Sequence, residues 1–313
     1  MNDKKISVAM ASYNGIKYLG EQLDSIRTQT LKPDEVIICD DCSNDGTFEF
    51  CSDYIAKYDL TGWTVYRNNK NLGVLQNFRL ALSKCTGDYI FTSDQDDIWL
   101  PDKIQVMTQA MNENQNIMLL VSNYQAIDSN KQKINAHLKN ITRNDGEIIR
   151  LPLKNYWLEN VRPGCVMAFR REILERLKIF DLADKLHDSI LWQHAIIIDS
   201  LYLINRQLIL FRRHENNTTA AFHPALSLEQ KIKYLYQDSE LYKNFLAHSE
   251  KLGINESNRN LLAKKINFLT QRINILANKN LFAIIYFVIA NMKFYPTLRN
   301  ALSDIYAAIF IRN

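Results

Sequence analysis

Between Ile6 and Ser122, short apolar runs alternate with stretches of helical period, and this alternation most constrains the fold. Ile6 to Ala11, Glu35 to Cys39, Trp63 to Tyr66, Asp88 to Thr92 and Ile117 to Ser122 read as strands. Tyr18 to Thr28 places Leu19, Leu23 and Ile26 at helical spacing. Thr47 to Tyr58, Val74 to Lys84 and Leu100 to Met111 supply further helices. Strands too apolar to face water on either side, each followed by a helix, imply βαβ units and a largely parallel sheet. Ligands of such a sheet bind outside the carboxyl ends of its strands. Those ends carry Tyr13-Asn14, Asp40-Asp41, Asn68 to Gly73 and Asp94 to Asp97, so the site is expected along that edge.

Further along, residues 123–150 are polar and read as a loop or hairpin excursion. Val166 to Arg170 reads as a strand, Arg171 to Leu177 and Asp188 to Leu201 as helices, and Gln207 to Arg213 as a last strand. From Leu226 onward helical patterns dominate. Leu262, Ile266, Leu269, Ile273 and Leu276 form an apolar stripe, with Lys264, Lys265 and Arg272 expected on the opposite side. The domain boundaries expected are 1–224 for an α/β body and 225–313 for a helical region.

The charge of the 313 residues divides along the same line. The net +4 comprises +7 from Lys251 to Asn313 and −3 from the rest. An acidic body without a basic patch interleaved with aromatics argues against nucleic acid as partner. Five cysteines suit reduced thiols better than a disulfide framework, and Cys39-x-x-Cys42 lacks the companions of a zinc site. The N-terminus has no apolar signal segment, and the run Leu281 to Ala290 is half of the roughly 20 residues a spanning helix needs.

Asp94-Gln95-Asp96-Asp97 is the sharpest chemical signal. Three carboxylates within four residues repel one another, and a hard divalent cation, Mn²⁺ or Mg²⁺, is the economical counter-charge. Taken together, VAMASYNGIKYLGEQLDSIRTQT (8–30), EVIICDDCSNDGT (35–47), NNKNLGVLQNFRLAL (68–82) and GDYIFTSDQDDIWLPDKI (87–104) resemble the family 2 inverting glycosyltransferases. Four motifs in one order are far more specific than any one alone. Where that family often has Gly after the paired Asp, this chain has Cys42.

The resemblance implies a GT-A fold, a Rossmann-like, mostly parallel sheet flanked by helices, here with a C-terminal helical extension. It places Tyr13 and Asn14 at the nucleotide and Asp40 and Asp41 at the base or ribose. Asn71, Gly73, Asn77 and Arg79 fall in the segment flanking the base. Asp94 and Asp96 match the DxD metal pair, and Asp97 ligates metal or orients the sugar. Leu186 to Trp192 resembles a segment of the rhamnosyltransferase-like branch, which puts Asp188 at the general base, beside His187. Arg162-Pro-Gly-Cys165 resembles a strand entry of that branch. Phe211 to Thr218 resembles the segment after its last strand, so that Arg213 or His214 contacts the diphosphate; otherwise Arg212-Arg213 is a solvated edge-strand face. The resemblance covers about residues 5–220.

The implied activity is metal-dependent transfer of a sugar, rhamnose among the candidates, from a UDP or dTDP donor. The acceptor is a glycan or lipid-linked hydroxyl in bacterial surface polysaccharide assembly. A nucleotidyltransferase and a noncatalytic sugar-nucleotide binder are the alternatives. The former is disfavoured because Ser12 to Gly15 lacks a Gly-rich phosphate loop with a basic residue. The basic, apolar tail suggests a cytoplasmic protein held peripherally on the inner face of the membrane. A helical cap or a homodimer interface is the other reading of the same tail.

Overall fold

The computed structural model describes residues 4–135, 143–154, 162–177, 187–214, 227–295 and 297–310. It divides into two compact units, one of Met1–Leu151 with Asn160–His214, the other of Pro152–Glu159 with Glu215–Asn313.

The first unit is built on a sheet. Its elements begin with β1 (Ile6–Ser12), α1 (Ile16–Arg27), β2 (Glu35–Asp40), α2 (Thr47–Lys57), β3 (Trp63–Arg67), α3 (Val74–Lys84) and β4 (Tyr89–Ser93). There follow β5 (Ile98–Trp99), α4 (Lys103–Glu113), β6 (Leu119–Ile127), β7 (Ile148–Arg150), β8 (Met167–Arg170), α5 (Glu172–Leu177), α6 (His187–Ile197) and β9 (Leu201–Arg212). The strand order is β3-β2-β1-β4-β8-β6-β9-β5, with β7 pairing β9. From β3 to β4 all pairings are parallel; β8 is antiparallel to both β4 and β6, while β9 runs parallel to β6.

Every residue of β1, β2 and β4 is buried, which is why these strands read as apolar runs rather than alternating ones. Helix α1 buries Leu19, Leu23 and Ile26 completely, each contributing about 2 kcal/mol of hydrophobic transfer. The parallel register aligns Ser12 with Asp40 and Asp40 with Arg67. The loops after β1, β2 and β3 therefore leave the sheet side by side.

The chain departs from the sequence pattern after Asp97. The helix expected from Leu100 begins at Lys103, because Ile98 and Trp99 form β5 against β9 and the Leu100 N–H donates to Leu208 O at 3.0 Å. The strand expected over Ile117 to Ser122 runs on to Ile127, and β7 lies in the stretch read as irregular. The helix expected from Asp188 to Leu201 stops at Ile197, with Asp199 at φ 58 turning the chain directly into β9. That last strand starts six residues before the Gln207 expected. The apolar runs on both sides of Asp199 carry no period, so only the turn divides them.

In the second unit, α7 (Leu228–Ala247) opens on a capping box: Ser227 Oγ accepts from the Gln230 N–H at 3.2 Å and Gln230 Oε1 accepts from the Ser227 N–H at 3.0 Å. It is followed by α8 (Ser249–Leu252), α9 (Glu256–Ala277), α10 (Leu281–Ala290) and α11 (Leu298–Phe310). The stripe of α9 buries Leu262, Leu269 and Leu276. Arg272, expected on the outer side, is also buried. Its Nε and Nη2 donate to Asp304 at 2.8 and 2.9 Å, and Lys231 Nζ and the Tyr295 hydroxyl meet the same carboxylate at 2.7 and 2.6 Å. No helix among the described residues is long and apolar enough to cross a membrane.

Candidate functional site

The carboxyl edge of the parallel strands gathers two polar networks. The first centres on Asp41, which is buried at the end of β2. Its Oδ1 accepts from Asn68 Nδ2 at 2.7 Å and from the Leu72 N–H at 2.8 Å, and its Oδ2 accepts from the Gly73 N–H at 2.8 Å. Asn71 Oδ1 also receives the Gly73 N–H, and Gly73 stands at φ 84, a backbone that side chains resist. Asn77, buried on α3, donates to Cys39 O at 2.7 Å and accepts from Asn68. Asp40 spends both carboxylate oxygens on Ser43, taking its N–H at 3.0 Å and its hydroxyl at 2.5 Å. Asp40, Asp41, Asn71, Gly73 and Asn77 thus come together as the frame of the loop after β3. Arg79 lies half-buried two residues beyond Asn77, outside this frame. Cys42, where the related motif often has Gly, sits at φ 62, so it carries the left-handed strain a glycine escapes.

Tyr13 and Asn14 lead from this network to the second. Tyr13 is 46% exposed. Its backbone is clamped by one side chain: the Tyr13 N–H donates to Gln95 Oε1 at 2.8 Å, and Gln95 Nε2 donates back to Tyr13 O at 3.0 Å. A Cβ at Gly15 would fall 2.1 Å from Gln95 Oε1, so glycine is what lets the clamp approach. Asn14, at φ 47, donates its N–H to Ser43 Oγ and accepts the Asn44 N–H. Gln95, at the variable position of the acidic motif, received no role from the sequence, since a Gln between acids carries no signal of its own.

The acidic turn after β4 is the chemical centre. Asp97 is fully buried; its Oδ1 accepts the Arg212 N–H at 2.9 Å, and its Oδ2 has no hydrogen-bond partner among the described residues. Ligand atoms of Asp94, Asp97 and Cys165 lie within 4.8 Å of one another. Burial, then the negative charges of Asp96 and Asp188, push Asp94 up to about 7. Burial, then Asp96 and Asp94, push Asp97 well above the carboxylate range. A charged form opposed this strongly takes up either a proton or a cation. The partnerless oxygen and the clustered carboxylates therefore fit a hard divalent ion bound through oxygen. The Cys165 thiol is a poor companion for such an ion, because burial and the same two carboxylates hold its own ionisation far up.

Asp96 Oδ2 meets His214 Nε2 at 2.7 Å, with the His214 ring 5.0 Å from that of Tyr18. An imidazole and a carboxylate at that distance form a second donor pair beside the first. Asp188 occupies the first turn of α6, half-buried, with Oδ1 taking the Ser189 N–H at 2.7 Å. Its charge reaches Asp94, so the segment resembling the general-base region adjoins the acidic turn. The side chain of His187 lies outside the described residues, as do residues 215–218 of the segment that begins at Phe211. Arg213 is exposed, its guanidinium 5.6 Å from the Phe211 ring.

Two cations beneath the turn escaped sequence reasoning. Arg212, for which a solvated edge-strand face was the alternative, is buried, because β9 lies inside the sheet between β6 and β5. Its Nε donates to Asp96 O at 2.8 Å, its Nη2 to Glu21 at 2.5 Å, and its guanidinium covers the Tyr18 ring at 4.5 Å. Lys103 is buried with Nζ donating to Cys165 O at 2.8 Å and lying 3.8 Å over the Trp99 ring; burial lowers it to about 8 against the pull of Asp97 and Asp94. Neither could be told from an ordinary surface cation in the sequence.

Comparison with known proteins agrees with this architecture. The family model "Glycosyl transferase family 2" matches residues 7–178. The dTDP-rhamnosyl transferase RfbG of Shigella flexneri is 31% identical over 238 residues, 72% of this chain and 78% of that protein. The putative glycosyltransferase EpsE of Bacillus subtilis is 39% identical over 102 residues, 32% of this chain and 36% of its own. Crystal structures of S. aureus TarS 1-349 with UDP and with UDP-GlcNAc each superpose at TM-score 0.61 over 97% of this chain, and over 88% and 89% of theirs. At 18% and 17% identity these two bear on the fold alone. The mixed sheet, the motif-bearing edge and the matched family model lead to one conclusion: the chain is a glycosyltransferase and belongs to glycosyl transferase family 2.

Proposed function

We propose that the protein transfers a sugar, with inversion, from a UDP- or dTDP-sugar to a hydroxyl of a glycan or lipid-linked acceptor. The observation that carries this reading is the acidic turn, where ligand atoms of Asp94, Asp97 and Cys165 lie within 4.8 Å of one another and the buried Asp97 Oδ2 has no hydrogen-bond partner among the described residues. Asp94 and Asp97, whose ligand atoms cluster, would hold Mn²⁺ or Mg²⁺, and Asp96, paired with His214, is the other acidic group of the DxD motif beside them. Bound there, the ion would relieve the charge that develops on the departing nucleoside diphosphate. Arg213 and His214, which follow β9, offer hydrogen-bond donors to the same phosphates.

Asp188 acts as the general base. It takes the proton of the acceptor hydroxyl as that oxygen bonds to the anomeric carbon and the bond from that carbon to the diphosphate breaks. Tyr13 and the loop held by Asp41 form the nucleotide side of the site, with the exposed Tyr13 ring available for stacking. The relative named for dTDP-rhamnosyl transfer favours dTDP-rhamnose as donor and bacterial surface polysaccharide as setting. A lipid-linked acceptor would place the enzyme peripherally at the inner face of the cell membrane. The test is a panel of UDP- and dTDP-sugars with Mn²⁺, read by the nucleoside diphosphate released. Release of pyrophosphate, or donor binding with no release from any donor, refutes the assignment.

A further inference from the structure

The described part of α10 and α11 leaves two apolar stripes in water. On α10, Phe282, Tyr286 and Ile289 recur at spacings of four and three and are 85%, 76% and 70% exposed. On α11, Leu298, Leu302, Tyr306 and Ile309 follow the same rule and are all exposed. Other positions of the two helices are buried: Ile284, Phe287 and Val288 on α10, with Phe287 stacked on Phe268 of α9 at 5.6 Å, and Ala301 and Ala307 on α11. Seven such side chains expose on the order of 700 Å² at roughly 170 Å² each. Even divided between the two helices, that is as much apolar surface as the largest patch a soluble monomer ordinarily leaves bare, a few hundred Å².

The charges around these stripes identify what covers them. Lys279, Lys293 and Arg299 are exposed between residues 278 and 310. The only acid in that interval, Asp304, is buried and neutralised by Arg272 and Lys231. The surface therefore presents cations and apolar groups with no exposed carboxylate. A second copy meeting it face to face would oppose cation to cation, whereas an anionic lipid surface complements both the charge and the apolar side chains. Phenolic and aliphatic groups together suit the headgroup boundary, where one end of a Tyr is wet and its ring is not.

We infer that α10 and α11 form the membrane-docking surface of this protein and lie in the headgroup region of an anionic bilayer. The inference deepens the peripheral membrane placement of the proposed function by naming the surface that makes it. It rests on the exposed face of the second unit and holds whichever sugar is moved.

The test uses the full chain with phosphatidylcholine vesicles, plain or with roughly one-third phosphatidylglycerol, and reads the fraction that floats. The parent chain should bind the anionic vesicles and release at high salt. Ile289→Glu should lower partitioning roughly tenfold, since it replaces a buried apolar contact by a charge. Lys279→Glu with Lys293→Glu should lower binding to anionic vesicles by a similar factor and leave the melting temperature unchanged. Equal flotation of parent and variants, or equal binding to neutral and anionic vesicles, overturns the inference. So does a dimer in sedimentation that Ile289→Glu splits while the parent ignores vesicles. Release of nucleoside diphosphate in vesicle-free solution, measured on the same variants, reports the transfer reaction separately, so either idea can fail without the other.

Discussion

Asp94→Asn separates a carboxylate kept for a cation from one kept for the fold. The substitution preserves shape and removes one negative charge from a turn where Asp96 and Asp97 supply others, with the charge of Asp188 on α6 also acting on it. In the metal-free protein, Asp94 is raised from 3.8 to about 7, chiefly by burial and then by Asp96 and Asp188. Its folded state therefore binds a proton that the unfolded chain has already released across that window. Stability must fall as pH rises from about 4 to about 7. That rise corresponds to roughly 4 kcal/mol at most, and relaxation of the surroundings brings this to about 2 kcal/mol. For a unit of this size that is a rise of about 4–8 °C in Tm for Asp94→Asn at pH 7.5 without metal.

Mn²⁺ should reverse the order. At about a hundred times its Kd it would stabilise the parent by about 2.7 kcal/mol and the variant by much less. Thermal denaturation of both proteins, with and without Mn²⁺ and between pH 4 and 8, reads all of this. A lower Tm for Asp94→Asn without metal would show that the carboxylate serves the fold. An undiminished Mn²⁺ shift in the variant would show that the ion binds elsewhere. Either result refutes the reasoning.

Asp188→Asn should keep donor affinity in calorimetry yet lower the transfer rate by about 10²–10⁴-fold; near-normal turnover would remove it as base. Asp304→Asn, which strands Arg272 and Lys231 in the second unit, should cost about 3–5 kcal/mol in denaturant unfolding. Because those cations hold Asp304 below 3.8, its contribution is present above pH 4 and is lost as pH falls further. Cys42→Gly should raise stability by about 1 kcal/mol by relieving the left-handed backbone, and a fall would show that the side chain contributes more than the strain removes.

The fold of the first hundred residues was legible because burial of a parallel sheet on both faces writes itself as apolar runs separated by helical period. The acidic turn was legible because three carboxylates in four residues are costly without a counter-charge. Asp40 and Asp41 were legible as acids at a strand end, and Asn77 only through the family resemblance. That the carboxylate of Asp41 would be spent on Asn68, Leu72 and Gly73 was not, since those partners follow from the path of the loop after β3. The alternative of a solvated edge-strand face fails at Arg212 for a related reason: an Arg-Arg pair looks the same whether its strand is solvated or sits between β6 and β5.

By itself, the sequence determined the parallel half of the sheet, the edge that carries the site, and the family. These depend on local period and on motif order, both of which are linear properties. Only the tertiary structure decided where the cations go. Arg212 and Lys103 lie beneath the acidic turn, and Arg272, counted in the sequence as part of a basic tail, is consumed internally by Asp304. A charge acquires its meaning from desolvation and from partners tens of residues away. The sequence records how many charges there are, and folding alone sets which of them meet water, which meet each other, and which stand ready for a ligand.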